Sequence, residues 1–468
     1  MIFNSFSFIF ICLIPAVLSV VVLEKIGGKY RIRLQNLVLL CFSILFFAWS
    51  GTVYLKALLL LIVLNYVVGM LKDKIKGILI MGIIADIGIL IYYKYLYLLV
   101  STLNGFLHQE YELWDILVPI GISFIIFECI SYLMDLYLER ADKCSNFFDF
   151  ALFIAFFPKL VQGPIVLYKD MEGQLKNRTI EFDRVVSGIE RFVVGLSKKV
   201  LIGDILSQTY SWIFQLGTDI DVGSAWIAVL SYAFGLYMDF SGYSDMAIGM
   251  ATIFGFSFKE NFNFPYLSTS ISEFWRRWHI SLGTWFREYI YIPLGGSRTG
   301  NVYLHLFIVF LITGIWHGAA WVYLFWGMLH GVCVVIERYV MKKSWYKKIP
   351  VFIRWGITFL IVSIGWLTFN VATLDDLWGF VGCLIGKGNV GSFAASYYLT
   401  PRLLLIFGIV VAGTIVFSRL KVQTVMKKWN RQSIIFNIIK YVLLLLCLYL
   451  CFITTISEGY TPFLYFQF

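Results

Sequence analysis

The sequence predicts an all-α, polytopic integral membrane protein of about eleven transmembrane helices, and three observations carry that expectation. Hydrophobic residues fill 60% of the 468 positions and charged residues only 14%, against roughly 45–50% and about 25% in soluble globular chains. Apolar stretches close to the roughly 20 residues that cross a bilayer recur along the whole chain. Lysine and arginine concentrate in alternate loops, the bias of a chain threaded repeatedly through a membrane.

Taken in order, the clearest spans are 2–23, 34–50, 53–70, 77–100 and 117–137. No Lys or Arg precedes the apolar run of the first, and no clear small-residue cleavage site follows it, so it reads as retained rather than as a removable signal. Between Phe147 and Leu206 the pattern breaks. Apolar pieces there alternate with "FFPKLVQGP" and with the charged amphipathic stretch "KDMEGQLKNRTIEFDRVVSGIERF". Non-helical backbone at membrane depth is tolerated only where protein or a water-filled cavity covers it, so re-entrant and interfacial helices and a funnel are expected rather than a plain bundle. Regular spans resume at 225–240, 301–316, 319–337, 351–373, 402–418 and 435–456. No repeat recurs at a fixed period, which weighs against an inverted-repeat transporter. The expected organisation is a single membrane domain over 1–468, with a catalytic core at about 117–337 and C-terminal helices at 351–456.

The loops "EKIGGKYRIR" (24–33), "LKDKIK" (71–76), "ERYVMKKSWYKK" (337–348) and "SRLKVQTVMKKWNR" (418–431) are basic, whereas "NGFLHQEYELWD" (104–115) is acidic without Lys or Arg. Basic loops stay in the cytoplasm, which places 104–115 and both termini outside. The net charge of +10 follows from this bias and from attraction to anionic membrane lipid; nucleic-acid binding would need a soluble basic face that the chain lacks. The eight cysteines are scattered mostly inside spans and form no C-x-x-C pair. They suggest packing residues, with no disulfide framework or zinc site.

No G-x-S-x-G, P-loop or H-E-x-x-H signature of soluble enzymes occurs. Any chemistry must come from polar residues within the membrane-embedded part. His317, in "ITGIWHGAAW", stands in an apolar run between two tryptophans. An ionisable side chain at membrane depth is costly and marks a functional site by default. In apolar surroundings the ring stays neutral and accepts a proton near pH 7, as a general base does; the competing reading is an interhelical hydrogen-bond partner. Gly314, Gly318, Ala319 and Ala320 beside it are either room for a substrate or a small-residue helix contact.

In "SISEFWRRWHISLGTWFREYIYIPLGGSR", helical spacing puts Trp275, His279, Leu282 and Phe286 on one face, with Arg276 and Arg287 together to its side. Those arginines either hold lipid headgroups or, with Trp275, bind an anionic cofactor, since the guanidinium suits phosphate geometry. The segment "YMDFSGYSDMAIGM" sets Asp239, Ser241, Tyr243, Ser244 and Asp245 at an expected helix break, either a cavity lining or an ordinary turn. Glu128 and Asp135, seven apart, stack on one helix face and are expected to pair with a cation. His108 falls in the outer acidic loop, and His330 follows thirteen residues after His317, off its face on an uninterrupted helix.

The succession "GISFIIFECISYLMDLY", "FFPKLVQGPIV", "GLSKKVLIGD", the long block from Tyr237 to Arg298, and "ITGIWHGAAWVYLFWGMLHG" closely resembles the membrane-bound O-acyltransferase (MBOAT) family, in particular its bacterial branch containing alginate O-acetyltransferase. The resemblance covers about Phe47 to Gly331; after Glu337 only the span pattern matches. It implies a funnel-shaped helical enzyme with no permanent cofactor. Such an enzyme takes an acetyl group from cytosolic acetyl-coenzyme A and delivers it, usually with an extracytoplasmic partner acyltransferase, to a polysaccharide hydroxyl outside the plasma membrane. The family's essential histidine corresponds to His317 and its second important one to His279. A teichoic-acid D-alanyl transferase, fed by an acyl carrier protein, is the alternative within the superfamily. There the counterpart of "FFPKLVQGPIVLY" reads more like "GPIDRF". A transporter or flippase is the non-enzymatic alternative.

Overall fold

The structure, a computed structural model, describes residues 2–108, 111, 116–388, 393–419 and 434–459, and every regular element among them is helical. Among the described residues seven helices are long and apolar enough to cross a membrane: Phe8–Ile26, Gly28–Ala48, Thr52–Met70, Ile78–Leu107, Val351–Phe369, Pro401–Ser418 and Ile434–Glu458. The other four expected spans are helices as well. Ile122–Tyr137 and Val302–His317 have only 16 residues each, while Val222–Ile253 and Trp321–Val340 carry several polar side chains. Of the stretches used for orientation, part of 104–115, nearly all of 418–431 and the C-terminal Phe468 lie outside the described residues.

The chain divides into two compact units: Met1–Phe192, Ser244–Glu260 and Thr284–Pro293 in one, Val193–Tyr243, Asn261–Gly283 and Leu294–Phe468 in the other. The first is built around Ile122–Tyr137, which is buried on nearly every side. Neighbouring helices reach it through glycine: a Cβ on Gly69 would stand 2.8 Å from the Tyr132 ring, and one on Gly82 would stand 2.8 Å from Leu133. Small residues allow such close approach where no hydrophobic effect drives helices together. As expected for a charge at this depth, Glu128 is paired, with the buried Lys159. Asp135 instead accepts from the Tyr289 hydroxyl at 2.9 Å. The "FFPKLVQGP" stretch is a short 3-10 turn, Phe157–Lys159, followed by irregular backbone, all buried within this unit, with Val161 held at φ 74°. That matches the sequence expectation of irregular backbone covered by protein.

In the second unit, Val222–Ile253 contributes its residues up to Tyr243 and packs on residues 195–207. The contact is again through glycine: a Cβ on Gly242 would lie 2.7 Å from the Gly195 carbonyl, and one on Gly235 would lie 3.2 Å from Leu206. Between them the buried Lys199 bridges Asp204 at 2.6 Å and Asp239 at 2.9 Å. The helix break expected at Asp239–Asp245 is therefore not there. Gly242 serves close helix packing rather than a turn, and Asp239 is neutralised by Lys199 without leaving the helix. The same unit holds an apolar core that includes Leu236, Tyr266, Trp278, Trp326 and Trp366.

Candidate active site

His317 is the last residue of helix Val302–His317, whose first turn is capped by the Asn301 side chain accepting from Tyr303 N and Leu304 N. Gly318 and Ala320 are extended, and the chain returns as helix Trp321–Val340. The two helices touch at Gly314 and Gly327, where a Cβ on either would stand within about 3 Å of the other's Cα, and Gly318 packs on the Tyr323 ring. Of the two readings offered by these glycines, the structure shows the helix contact. It carries His317, only 6% exposed, into an aromatic collar, with ring centroids 5.0 Å from Trp316, 4.9 Å from Trp326 and 5.1 Å from Phe369.

His279 arrives by a different route. The segment read as one helix is broken: helix Ile271–Arg277 ends at an extended Trp278, and Ile280–Phe286 begins after His279 at φ 46°. A non-glycine residue in that region is uncommon and costs of order 1–3 kcal/mol. Residues 261–263 hold it there, through Ile280 N donating to the Asn261 carbonyl and Asn263 N donating to the Arg277 carbonyl, each at 2.9 Å. The start of Ile271–Arg277 is anchored by Glu337, whose carboxylate accepts from Ile271 N and Ser272 N at 2.8 Å. The His279 ring has Phe240 edge-on at 4.8 Å, and its Nδ1 lies 3.2 Å from Asn261 Oδ1. Burial pushes its pKa down to about 3, so the ring is neutral at physiological pH.

Both histidines line one small cavity of the second unit. Leu236, Trp275, Trp278, Leu282, Trp366 and Phe369 line it too, and among the described residues no charged side chain does. Two neutral imidazoles among apolar side chains are suited to taking a proton from a hydroxyl. The sequence offers no local signal for Leu236, Trp366 or Phe369 as neighbours of a histidine, since they come from segments far apart in the chain.

The other candidate residues differ in their surroundings. Trp275 lines it and donates its indole N–H to Nδ1 of the fully buried His330 at 3.4 Å. Arg276 is exposed, and so is Arg287, beside Glu288 at 3.1 Å. Because the helix breaks at Trp278 and His279, a helical projection no longer relates the two arginines, and the face assignment made from spacing is corrected. His305 is buried against the Gly296 carbonyl at 2.9 Å, and His108 is an exposed left-handed residue at a helix end. Among the described residues no cluster of three or more His, Cys, Asp or Glu is placed to hold a metal ion.

The profile of the membrane-bound O-acyltransferase family matches residues 108–373. The chain belongs to the MBOAT family. Its O-acyltransferase character comes with that membership, and with the seven apolar helices it is a multi-pass membrane protein. Among similar proteins, "Probable alginate O-acetylase AlgI" of Pseudomonas aeruginosa is 42% identical over 403 residues, 83% of this chain and 76% of its own. "Peptidoglycan O-acetyltransferase" of Helicobacter pylori is 34% identical over 83% of this chain and 81% of its own. "Teichoic acid D-alanyltransferase" of Bacillus subtilis is 28% identical over 54% of this chain and 68% of its own.

Proposed function

We propose that this MBOAT protein moves an acetyl group from cytosolic acetyl-coenzyme A across the membrane for O-acetylation of an extracellular or cell-wall polysaccharide, together with an extracytoplasmic partner acyltransferase. The observation that carries the reading is the apolar cavity lined by both His279 and His317. His317 takes the proton of the acceptor hydroxyl, the oxygen attacks the thioester carbonyl, the carbon–sulfur bond breaks, and the proton ends on the departing thiol. Transient acylation of His317 is the variant of this step. His279 orients the thioester, and Arg276, Arg287 and Trp275 bind the donor. The protein acts as one domain with about eleven crossings, its basic loops cytoplasmic.

The relatives that cover most of this chain are named for O-acetylation of alginate or peptidoglycan, which supports a glycan acceptor. D-alanyl transfer from a carrier protein draws on a relative matched over about half the chain. The test is purified protein with labelled acetyl-coenzyme A and a glycan acceptor, with and without a soluble partner acyltransferase. Free thiol and labelled glycan are expected. Thiol release only from a D-alanyl carrier protein, or none from either donor, would overturn the reading.

A further inference from the structure

We infer that Asn261 is a positioning residue that fixes His279 as its Nδ1–H tautomer, so that Nε2 meets the substrate as a hydrogen-bond acceptor. The inference begins at a fixed donor. The backbone N–H of Ser281 points to the side chain of Asn261 at 3.1 Å, and a backbone N–H only donates, so the atom it meets is the amide oxygen. The Ser281 hydroxyl reaches the same atom at 2.9 Å. That settles the orientation of an amide whose two ends are otherwise hard to tell apart.

His279 Nδ1 lies 3.2 Å from this same Oδ1. Two acceptors do not hydrogen-bond, so Nδ1 carries the hydrogen. Ser281 Oγ is 3.4 Å from Nδ1, and with its proton directed to Asn261 it presents a lone pair to the ring, which favours the same tautomer. A neutral imidazole holds one N–H, so Nε2 carries the lone pair. Burial favours the neutral ring, and the hydrogen bonds decide which nitrogen keeps the hydrogen. Asn261 itself is 1% exposed, and its carbonyl accepts from Ile280 N, so one residue holds both the left-handed backbone and the ring it presents.

Resting on the acyl-transfer reading above, this assigns His279 a direction of work. It accepts from an N–H or O–H of donor or acceptor, and it is not the group that protonates the departing sulfur, which would require Nε2–H. Sequence spacing alone does not separate those roles.

The test uses full-length protein in lipid nanodiscs with ¹⁵N-labelled histidine, the His279 signals being assigned by their loss in His279→Gln. Wild type is expected to show a protonated Nδ1 and an unprotonated Nε2. Asn261→Asp, whose carboxylate still accepts, keeps that signature and most of the turnover. Asn261→Ala yields mixed tautomers and lowers kcat roughly 10- to 100-fold, the usual effect of losing a partner that orients a histidine, with KM little changed. An Nε2–H signature in wild type, or an unchanged tautomer and kcat in Asn261→Ala, overturns the proposal. If Asn261→Ala does not fold, the wild-type and Asn261→Asp spectra decide. Because the tautomer is read without substrate, an inactive wild type with the expected signature would sink the acetyl-transfer reading and leave this one standing.

Discussion

The His317 ring stands edge-on against Trp326, with centroids 4.9 Å apart and planes at 83°. The same indole packs on His330 at 4.8 Å. Of the two histidines only His317 lines the cavity, so their substitutions should part company. His317→Ala and His317→Gln are expected to lower acyl transfer by about a hundred- to ten-thousand-fold, the scale of general base catalysis, without loss of insertion. His330→Ala should act mainly on stability, by about 2–4 kcal/mol, as truncation of a buried ring does. Acetylated product at matched membrane abundance is the measurement, and near-normal product from His317→Ala would make that histidine structural.

Arg276 and Arg287 are both exposed, as cations that reach for phosphates need to be. Replacing either with Ala is expected to weaken donor binding more than turnover at saturation. Normal donor affinity in both variants would leave these arginines as lipid anchors.

A Cβ at Gly314 would stand 2.9 Å from the Gly327 Cα, whereas one at Gly356 would meet nothing within 4 Å. Gly314→Ala should therefore destabilise by about 1–3 kcal/mol, the cost of overpacking. Gly356→Ala, in a comparable helix, should be neutral or slightly stabilising. Thermal unfolding in detergent compares the pair, and equal midpoints would refute the close contact.

Lys199 is 1% exposed and lies between two carboxylates. Lys199→Met leaves both buried without their cation, which should cost about 3–5 kcal/mol. Adding Asp204→Asn and Asp239→Asn should restore part of that loss. If the triple variant is no more stable than the single one, the cluster is not held by charge.

His279 makes stability depend on pH. Its folded pKa, about 3, lies below the unfolded value of 6.5, so below pH 6.5 the unfolded chain binds a proton that the folded chain excludes. The contribution is intact above pH 6.5 and is lost progressively as pH falls from there toward 3. The melting temperature should drop between pH 7.5 and 5, and His279→Gln should flatten that slope. A slope unchanged by the substitution would show that the ring is solvated.

The line between what sequence can and cannot specify runs through particular residues here. Membrane insertion is legible because hydrophobicity is additive along the chain: the helices Phe8–Ile26 and Thr52–Met70 need no tertiary information to be recognised. His317 and His279 are legible as candidates because an imidazole among tryptophans is conspicuous, and because their flanking motifs resemble a known family. Two local patterns mislead. Spacing treats the run from Trp275 to Arg287 as one helix, yet backbone bonds from 261–263 break it at His279; composition suggests a break near Gly242, yet the helix runs on and packs there against Gly195 and Lys199.

Composition, membrane character, family and the candidacy of the two histidines are thus legible in the sequence itself, since each rests on residue type and on neighbours a few positions away. That His279 and His317 share one cavity, that Trp366 and Phe369 wall it, and that Asn261 selects the His279 tautomer are decided only by tertiary structure. The physical reason is reach. Hydrogen-bond direction and ring contact are set over a few ångströms in space, between segments whose separation along the chain carries no trace of the meeting.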